Sequence, residues 1–362
     1  MPDSTRNLAV WVNRSQVMRY HAGNLVFCAS IRCYLAVSLI LLALIVGCKQ
    51  PEDPAAPKPQ PALGALTFCH GGITNILPLI ALKQGYFAEE GLSVTLKDLD
   101  GRQAFTGMLQ GECNFAVSAE PPIVLADPQR TPFAILATVL DDDNSVRIIA
   151  RRDQGIAKPE DLKGKRLGVK KGIMSHIFLD LFMIKHGLKH NEVVRVFMEP
   201  EAFQPALLNG EIDGFSMSSR MLTNAAHTLG DKAVVFAEPG LFPVHAILTT
   251  RLDIPLNLQA APRVLRALVR AEQYAKSEPA AAKTMVAKSF KLSAQDIEDV
   301  WCRTTIKVAL ANSLFSHLDN QYTWLQEHDE ASEAASMPNY LTLVAPEYLR
   351  AIRPDSVSDL IP

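Results

Sequence analysis

Two glycine-containing loops carry the side chains best suited to holding a small molecule. Cys69-His70-Gly71-Gly72-Ile73-Thr74 follows the apolar run Ala65-Leu66-Thr67-Phe68, and Lys170-Lys171-Gly172-Ile173-Met174-Ser175-His176 follows Leu167-Gly168-Val169. Each loop leads into a helical pattern, so backbone N–H groups and the positive end of a helix dipole would face whatever lies beyond the strand. That suits an anion or the polar end of a small molecule, although Gly72 and Gly172 could equally serve tight turns. The candidate ligand-binding residues are therefore His70, Gly71, Gly72 and Ile73 from the first loop and Lys171, Gly172, Ile173, Ser175 and His176 from the second. Two further loops add Ser118 with Glu120 and Ser218 with Arg220. A carboxylate at Glu120 opposite Arg220 fits a zwitterion or a cationic ring substituent as readily as a pure anion, and Arg220 could instead make a structural ion pair. Phe105, Phe203 and Met217 could line a pocket, though core packing suits them better.

Catalytic signatures are missing. There is no Gly-x-Ser-x-Gly, no His-Glu-x-x-His and no Gly-x-x-x-x-Gly-Lys. The nine histidines show no ligand spacing, and His186 and His190 are separated by Gly187, which reads as a helix end. No catalytic residue, metal site or cofactor is assigned.

The elements that would position these loops occur twice. Leu109-Gln110-Gly111-Glu112-Cys113-Asn114-Phe115-Ala116-Val117-Ser118 reappears, offset by 99, as Leu208-Asn209-Gly210-Glu211-Ile212-Asp213-Gly214-Phe215-Ser216-Met217. Upstream, Ala104-Phe105 matches Ala202-Phe203, Gly72-Ile73 matches Gly172-Ile173, and Lys83-Gln84-Gly85-Tyr86 matches Lys185-His186-Gly187-Leu188. A period of roughly 100 residues is the size of an α/β domain and too long for a solenoid. Two similar lobes follow, with a cleft where their strand ends meet.

Strands are expected at Ala65–Phe68, Gly91–Leu96, Asn114–Val117, Phe133–Val139 and Ser145–Ala150 in the first half. A helix from Ile76 to Gly85 would take its cap from Thr74 or Asn75. The second half repeats the order, with a strand at Val244–Thr249 returning the chain to lobe one. The helical patterns after Ala261 have no repeat partner and are expected to complete lobe one; Ser293 with Asp296 is a capping box.

At 362 residues the chain is long enough for two cores, and 36 basic against 38 acidic residues argue against a nucleic-acid surface. The run Cys33 to Gly47 is apolar for about 15 residues, short of the roughly 20 of a spanning helix, and follows Arg19, His21 and Arg32, the layout of a secretory signal. Met1 or Met18 could be the start. Pro51 to Pro61 is a proline-rich tether. Residues 1–47 thus read as signal peptide, 48–64 as anchor and tether, 65–148 with 248–362 as lobe one, and 149–247 as lobe two. Of the six cysteines, Cys69, Cys113 and Cys302 remain in the folded body; Cys113 reads as a buried small hydrophobe, and a bond between two of the three, open to a chain outside the cytoplasm, is not the favoured reading.

Ile45-Val46-Gly47-Cys48 resembles the lipobox of bacterial lipoproteins, which implies cleavage before Cys48 and lipidation of its thiol. The body resembles the substrate-binding proteins of ABC transporters of the nitrate/sulfonate/taurine type, which share their fold with thiamine-pyrimidine synthases. The residues behind this are Ala81-Leu82-Lys83-Gln84-Gly85-Tyr86-Phe87-Ala88-Glu89-Glu90-Gly91-Leu92, Ala119-Glu120-Pro121-Pro122 and Asp161-Leu162-Lys163-Gly164-Lys165-Arg166-Leu167-Gly168-Val169. The resemblance implies an α/β, two-lobed periplasmic binding protein type II fold with a ligand cleft between lobes and hinge crossings near Val146–Arg152 and Val244–Arg251. It further implies a monomer outside the cytoplasm, held to a membrane by Cys48, that closes on a small polar or anionic solute and docks on an ABC permease in the inner membrane. Where many relatives carry an aromatic-acidic-proline turn, this chain has Ser218-Ser219-Arg220, so the ligand class stays open. Two other readings compete: a lipoprotein that reports its ligand to a membrane sensor, and an enzyme of the thiamine-pyrimidine synthase type.

Overall fold

The computed structural model describes residues 61–99, 101–328 and 337–361. The signal, lipobox and most of the tether lie outside the described residues. No described helix is long and apolar enough to cross a membrane.

The compact unit Pro59–Pro362 is built on two sheets. The first contains β1 (Gly64–Gly71), β2 (Leu92–Leu99), β3 (Phe115–Ser118) and β4 (Phe133–Asp142); the second contains β5 (Val146–Arg151), β6 (Arg166–Val169), β7 (Val194–Phe197), β8 (Gly214–Ser218) and β9 (Ala233–Phe236). The chain then returns to the first sheet with β10 (Val244–Arg251) and the short β11 (Thr304–Thr305). The strand orders are β11-β4-β10-β3-β1-β2 and β7-β6-β8-β5-β9.

Setting β11 aside, the two orders are the same. In the first sheet β1 runs parallel to β2 and β3, and β10 is inserted antiparallel between β3 and β4. In the second, β6 runs parallel to β7 and β8, and β5 is inserted antiparallel between β8 and β9. Each lobe thus borrows its antiparallel strand across a crossover, so neither sheet is complete without a chain segment that has just left the other. The changeovers fall at 143–145 and 237–243, which places Val146–Ile148 in the second sheet and Val244–Ile247 in the first, displacing the boundaries read from sequence.

Alternation along β5 divides the second lobe into two layers. Val146, Ile148 and Ala150 point to a cluster that includes Phe178 and Phe182 of the helix Met174–Lys185, while Ile149 points to Phe203, Leu207 and Leu222 of the helices Pro200–Asn209 and Ser219–Leu229. The C-terminal helices Pro255–Ser277, Pro279–Phe290, Ala294–Arg303 and Asn312–Glu327 send Val264, Leu268, Val286, Ile297, Leu314 and Leu318 into the first lobe's core. The capping box of Ser293 and Asp296 starts the third of them: Asp296 N–H donates to Ser293 Oγ at 3.1 Å. Phe105 and Phe203 are core residues, 1% and 0% exposed.

Cys69 and Cys113 form a disulfide, against the reading favoured from sequence. The reason is the adjacency of β1 and β3, which puts their Cα atoms 5.9 Å apart, inside the usual range for the bond. Cys302 is exposed and free. At the matching positions of the second lobe stand Gly168 and Ile212, and Ile212 Cδ1 lies 2.8 Å from the point a Gly168 Cβ would occupy. One lobe closes this gap with sulfur, the other with a methyl group against a bare backbone.

Candidate functional site

Because β10 is antiparallel to both β3 and β4, the carboxyl ends of β1, β3 and β4 lie on one side of the first sheet, at Gly71, Ser118 and Asp142. They meet the end of β8 at Ser218 and Ser145 of the first changeover. Between them is a cavity of about 620 Å³. Its first-lobe wall is Gly71, Gly72, Ile73, Thr74 and Ser118, its floor Leu140, Val244 and Ala246, and its second-lobe wall Met174, Ser218, Thr223 and Asn224. The C-terminal helices close the remaining side with Phe290, Lys291, Leu292, Asp296, Asp299, Val300 and Arg303.

Gly71, Gly72, Ile73, Ser118 and Ser218, read from the loops, line this cavity. The loop geometry differs from expectation in one respect: Gly72–Asn75 forms a 3-10 turn that runs into the helix Ile76–Lys83, and Asn75 makes no side-chain cap; Thr74 Oγ1 instead donates to Gly71 O at 2.9 Å. The Gly72 N–H is already used, donating to Asp98 Oδ1 at 3.1 Å. Gly72 has φ of 55°, a conformation that an L side chain rarely adopts.

The other sequence candidates are elsewhere. His70 is buried in β1 with Nδ1 at 3.4 Å from Asp98 Oδ1, and burial pushes its imidazole below the ordinary value while Asp98 pulls it up. Glu120 lies outside the lining of the main cavity. It is 0% exposed and accepts from the His245 N–H at 2.8 Å, with His245 Nδ1 at 2.7 Å from the same oxygen. Lys171 and His176 line a separate cavity of about 340 Å³ with His190, Arg195, Phe197 and His328. Gly172 and Ile173 lie outside the lining of the main cavity, and Ser175 is buried with Oγ 4.0 Å from Met217 Sδ. Arg220 falls in the first turn of the helix Ser219–Leu229; its side chain lies outside the description.

The C-terminal wall is what sequence reasoning missed. Arg303 Nε donates to both oxygens of Asp142, at 3.1 and 2.9 Å, and Nη1 donates to Asp299. Asp299 also accepts from Arg147 Nη2 at 3.0 Å, a pair that joins the helix Ala294–Arg303 of the first lobe to β5 of the second. Burial pushes the Asp142 carboxyl above its ordinary value and Arg303 only partly pulls it back. Lys291 ends the helix Pro279–Phe290 in the left-handed region, with φ of 54°. The capping box predicted the helix, but which wall that helix would build depends on tertiary packing.

A two-sheet body with a cavity at the strand ends of both lobes matches one established family over residues 73–282, under the description NMT1/THI5 like. The chain belongs to the NMT1/THI5-like family. The chain is 30% identical over 138 residues to the taurine-binding periplasmic protein of Escherichia coli, a match covering 37% of this chain and 42% of that protein's length. It is 26% identical over 219 residues to the 4-amino-5-hydroxymethyl-2-methylpyrimidine phosphate synthase of Aspergillus parasiticus, covering 56% of this chain and 63% of that one. The fold is that of the periplasmic aliphatic sulphonate binding protein SsuA from Escherichia coli, with a TM-score of 0.64 over 78% of this chain and 92% of the other at 16% identity. The chain's relatives thus include both a binding protein and a synthase. Among the described residues no group of three or more His, Cys, Asp or Glu could hold a metal.

Proposed function

We propose that this chain is an extracytoplasmic solute-binding lipoprotein that captures a small polar organic molecule between its two lobes and delivers it to an ABC importer. The observation that carries the reading is the cavity of about 620 Å³ walled by the strand ends of both sheets, with an apolar floor and hydrogen-bonding groups around it. Two changeover segments carry the chain between the sheets, so contacts made by one ligand to both walls would favour the closed arrangement. Anchoring through Cys48 and the tether would hold the body beside a permease. The taurine- and sulphonate-binding relatives support the reading, and they put sulfonates on the list of compounds to test.

The experiment is a thermal-shift screen with sulfonates, oxyanions, pyrimidines and carboxylates, followed by mass spectrometry of recovered ligand. A compound that binds only the native state raises the melting temperature by mass action, and a receptor returns it unchanged. No shift across the whole panel would sink the receptor reading. A shift accompanied by conversion of the compound would instead favour the synthase-like reading that the Aspergillus parasiticus relative keeps open. Labelling of the chain with radioactive fatty acid, lost on Cys48→Ser, tests the anchor.

A further inference from the structure

Lys291 breaks a rule that the rest of the chain keeps. Among the described residues twelve glycines take a positive φ, and Lys291, at 54°, is the one other residue that does. The helices Ile76–Lys83, Met174–Lys185 and Pro200–Asn209 are followed by Gly85, Gly187 and Gly210, at φ of 76°, 67° and 75°. The helix Pro279–Phe290 ends on a lysine instead, in a turn closed by the N–H groups of Lys291 and Leu292, which both donate to Ala287 O. A side chain in the left-handed region is less stable than glycine there, and such residues collect where function requires the side chain. The helix itself does not require this charge, since Lys288 already stands in its last turn.

Lys291 lines the cavity on the C-terminal wall, together with its neighbours Phe290 and Leu292. The other charges of that wall are committed. Arg303 holds Asp142 and Asp299, Arg147 holds Asp299 as well, and Asp296 accepts from the N–H and Oγ of Ser293, at 3.3 and 2.7 Å. Among the described lining residues Lys291 is the charge without a carboxylate or hydrogen-bond partner. It is exposed, so a ligand entering the cavity can reach it. Across the cavity the Gly72 N–H, which the loop geometry offered to an anion, is taken by Asp98.

Building on the receptor reading, we infer that Lys291 sets the charge preference of the cavity by pairing with an acid group of the ligand at the C-terminal wall. The apolar body of that ligand lies on the floor of Leu140, Val244 and Ala246. The selecting cation comes from helices that have no counterpart in the repeat, and the left-handed lysine gives up some stability of the fold for binding.

The test is titration calorimetry on the full-length chain in detergent with matched acids and amides: benzenesulfonate against benzenesulfonamide, and hexanoate against hexanamide. Whichever acid the cavity admits binds about fivefold more tightly than its amide, and the difference narrows as salt rises. Lys291→Gly abolishes the preference by weakening the acid about fivefold, while Lys291→Arg keeps it. The melting temperature of Lys291→Gly does not fall, because glycine suits the backbone at this position. Equal affinity of acid and amide in the natural chain overturns the proposal, as does a preference for the acid that survives in Lys291→Gly. A lowered melting temperature in Lys291→Gly with affinities unchanged makes the lysine a helix cap only and overturns it too. Binding of no compound, in these pairs or in the wider panel, brings down the receptor reading itself and this proposal with it.

Discussion

Trp324 stacks on His328 with ring centroids 4.0 Å apart, and its other edge meets His176 of the second lobe at 4.7 Å. The helix Asn312–Glu327 buries Leu314, Leu318, Tyr322 and Leu325 in the first lobe's core, so Trp324 carries that lobe's helix onto the helix Met174–Lys185 of the other. His328 Nε2 lies 3.4 Å from Asp180 Oδ2, and Asp180 in turn holds Arg195. The lobes are therefore tied at a third place, away from the two changeovers.

If the lobes part when the cavity empties, this tie must loosen and water must reach the indole. The sequence contains three tryptophans, so Trp11→Phe with Trp301→Phe leaves Trp324 as the reporter. A ligand that stabilises the protein is expected to shift Trp324 emission to shorter wavelength, because burial removes the indole from water. Emission that stays fixed while calorimetry registers binding would mean that Trp324 does not sense closure.

The buried pair of Glu120 and His245 gives stability a pH dependence. Burial pushes the His245 imidazole down, but the hydrogen bond and charge of Glu120, with help from Asp141, push it up by more, so the net shift is upward. A base whose folded pKa is raised contributes stability that is complete below its unfolded pKa of about 6.5 and is lost as pH rises through the folded value. His317, whose ring lies 4.8 Å from that of His245, is shifted the other way by burial and by His245, and so is His70 by burial. Those two cost stability as pH falls below about 6.5, because the unfolded chain takes up their protons first. A maximum in melting temperature near that pH is expected, and His245→Asn should flatten the alkaline side and, by removing the imidazolium beside His317, also make the acid side shallower. An alkaline slope that persists in His245→Asn would assign it to another group.

The repeat at an offset of 99 was enough to place both sheets, because Gly-centred breaks and short apolar runs are local features that survive whatever the chain packs against. The same local grammar named Gly71, Gly72, Ile73, Ser118 and Ser218, all backbone-proximal positions at strand ends. Glu120, Lys171 and His176 lie away from that cavity, since which way a side chain leaves a loop or the first turn of a helix is set by its neighbours: Glu120 turns inward to His245, and His176 to Trp324. Arg303 was beyond reach for a different reason. Its partner Asp142 is 161 residues away in sequence, and only the packing of the C-terminal helices on β4 brings them together.

The bond between Cys69 and Cys113 closes a loop of 44 residues around β2 and the helix Gly101–Leu109. Cross-linking restricts the unfolded chain, and removing such a bond costs about 2–4 kcal/mol. Cys69→Ala with Cys113→Ala should therefore lower the unfolding free energy in denaturant by that amount, and reducing agent should then have no further effect. Equal stability with and without reductant in the natural chain would show that the bond does not form in solution.

Gly214 stands where the first lobe has Phe115, and the exchange is dictated by space. A Cβ at Gly214 would lie 2.6 Å from Ile149 O, 2.9 Å from Leu167 Cδ2 and 3.0 Å from Ala150 Cβ. The first of these is backbone of β5, which is pinned between β8 and β9 and cannot swing aside as a side chain would. Gly214→Ala should therefore force the two strands apart, at about 1–3 kcal/mol, with the melting temperature falling by about 2–4 °C for each kcal/mol. Because β8 ends at Ser218 in the cavity wall, the displacement should also weaken ligand binding, although position 214 lies four residues from that wall. Gly164→Ala provides the contrast: nothing lies within 4 Å of its added Cβ, so its cost comes from its φ of 76° alone. A Gly214→Ala protein that melts with the natural chain would mean that β5 and β8 are spaced more loosely than this packing requires.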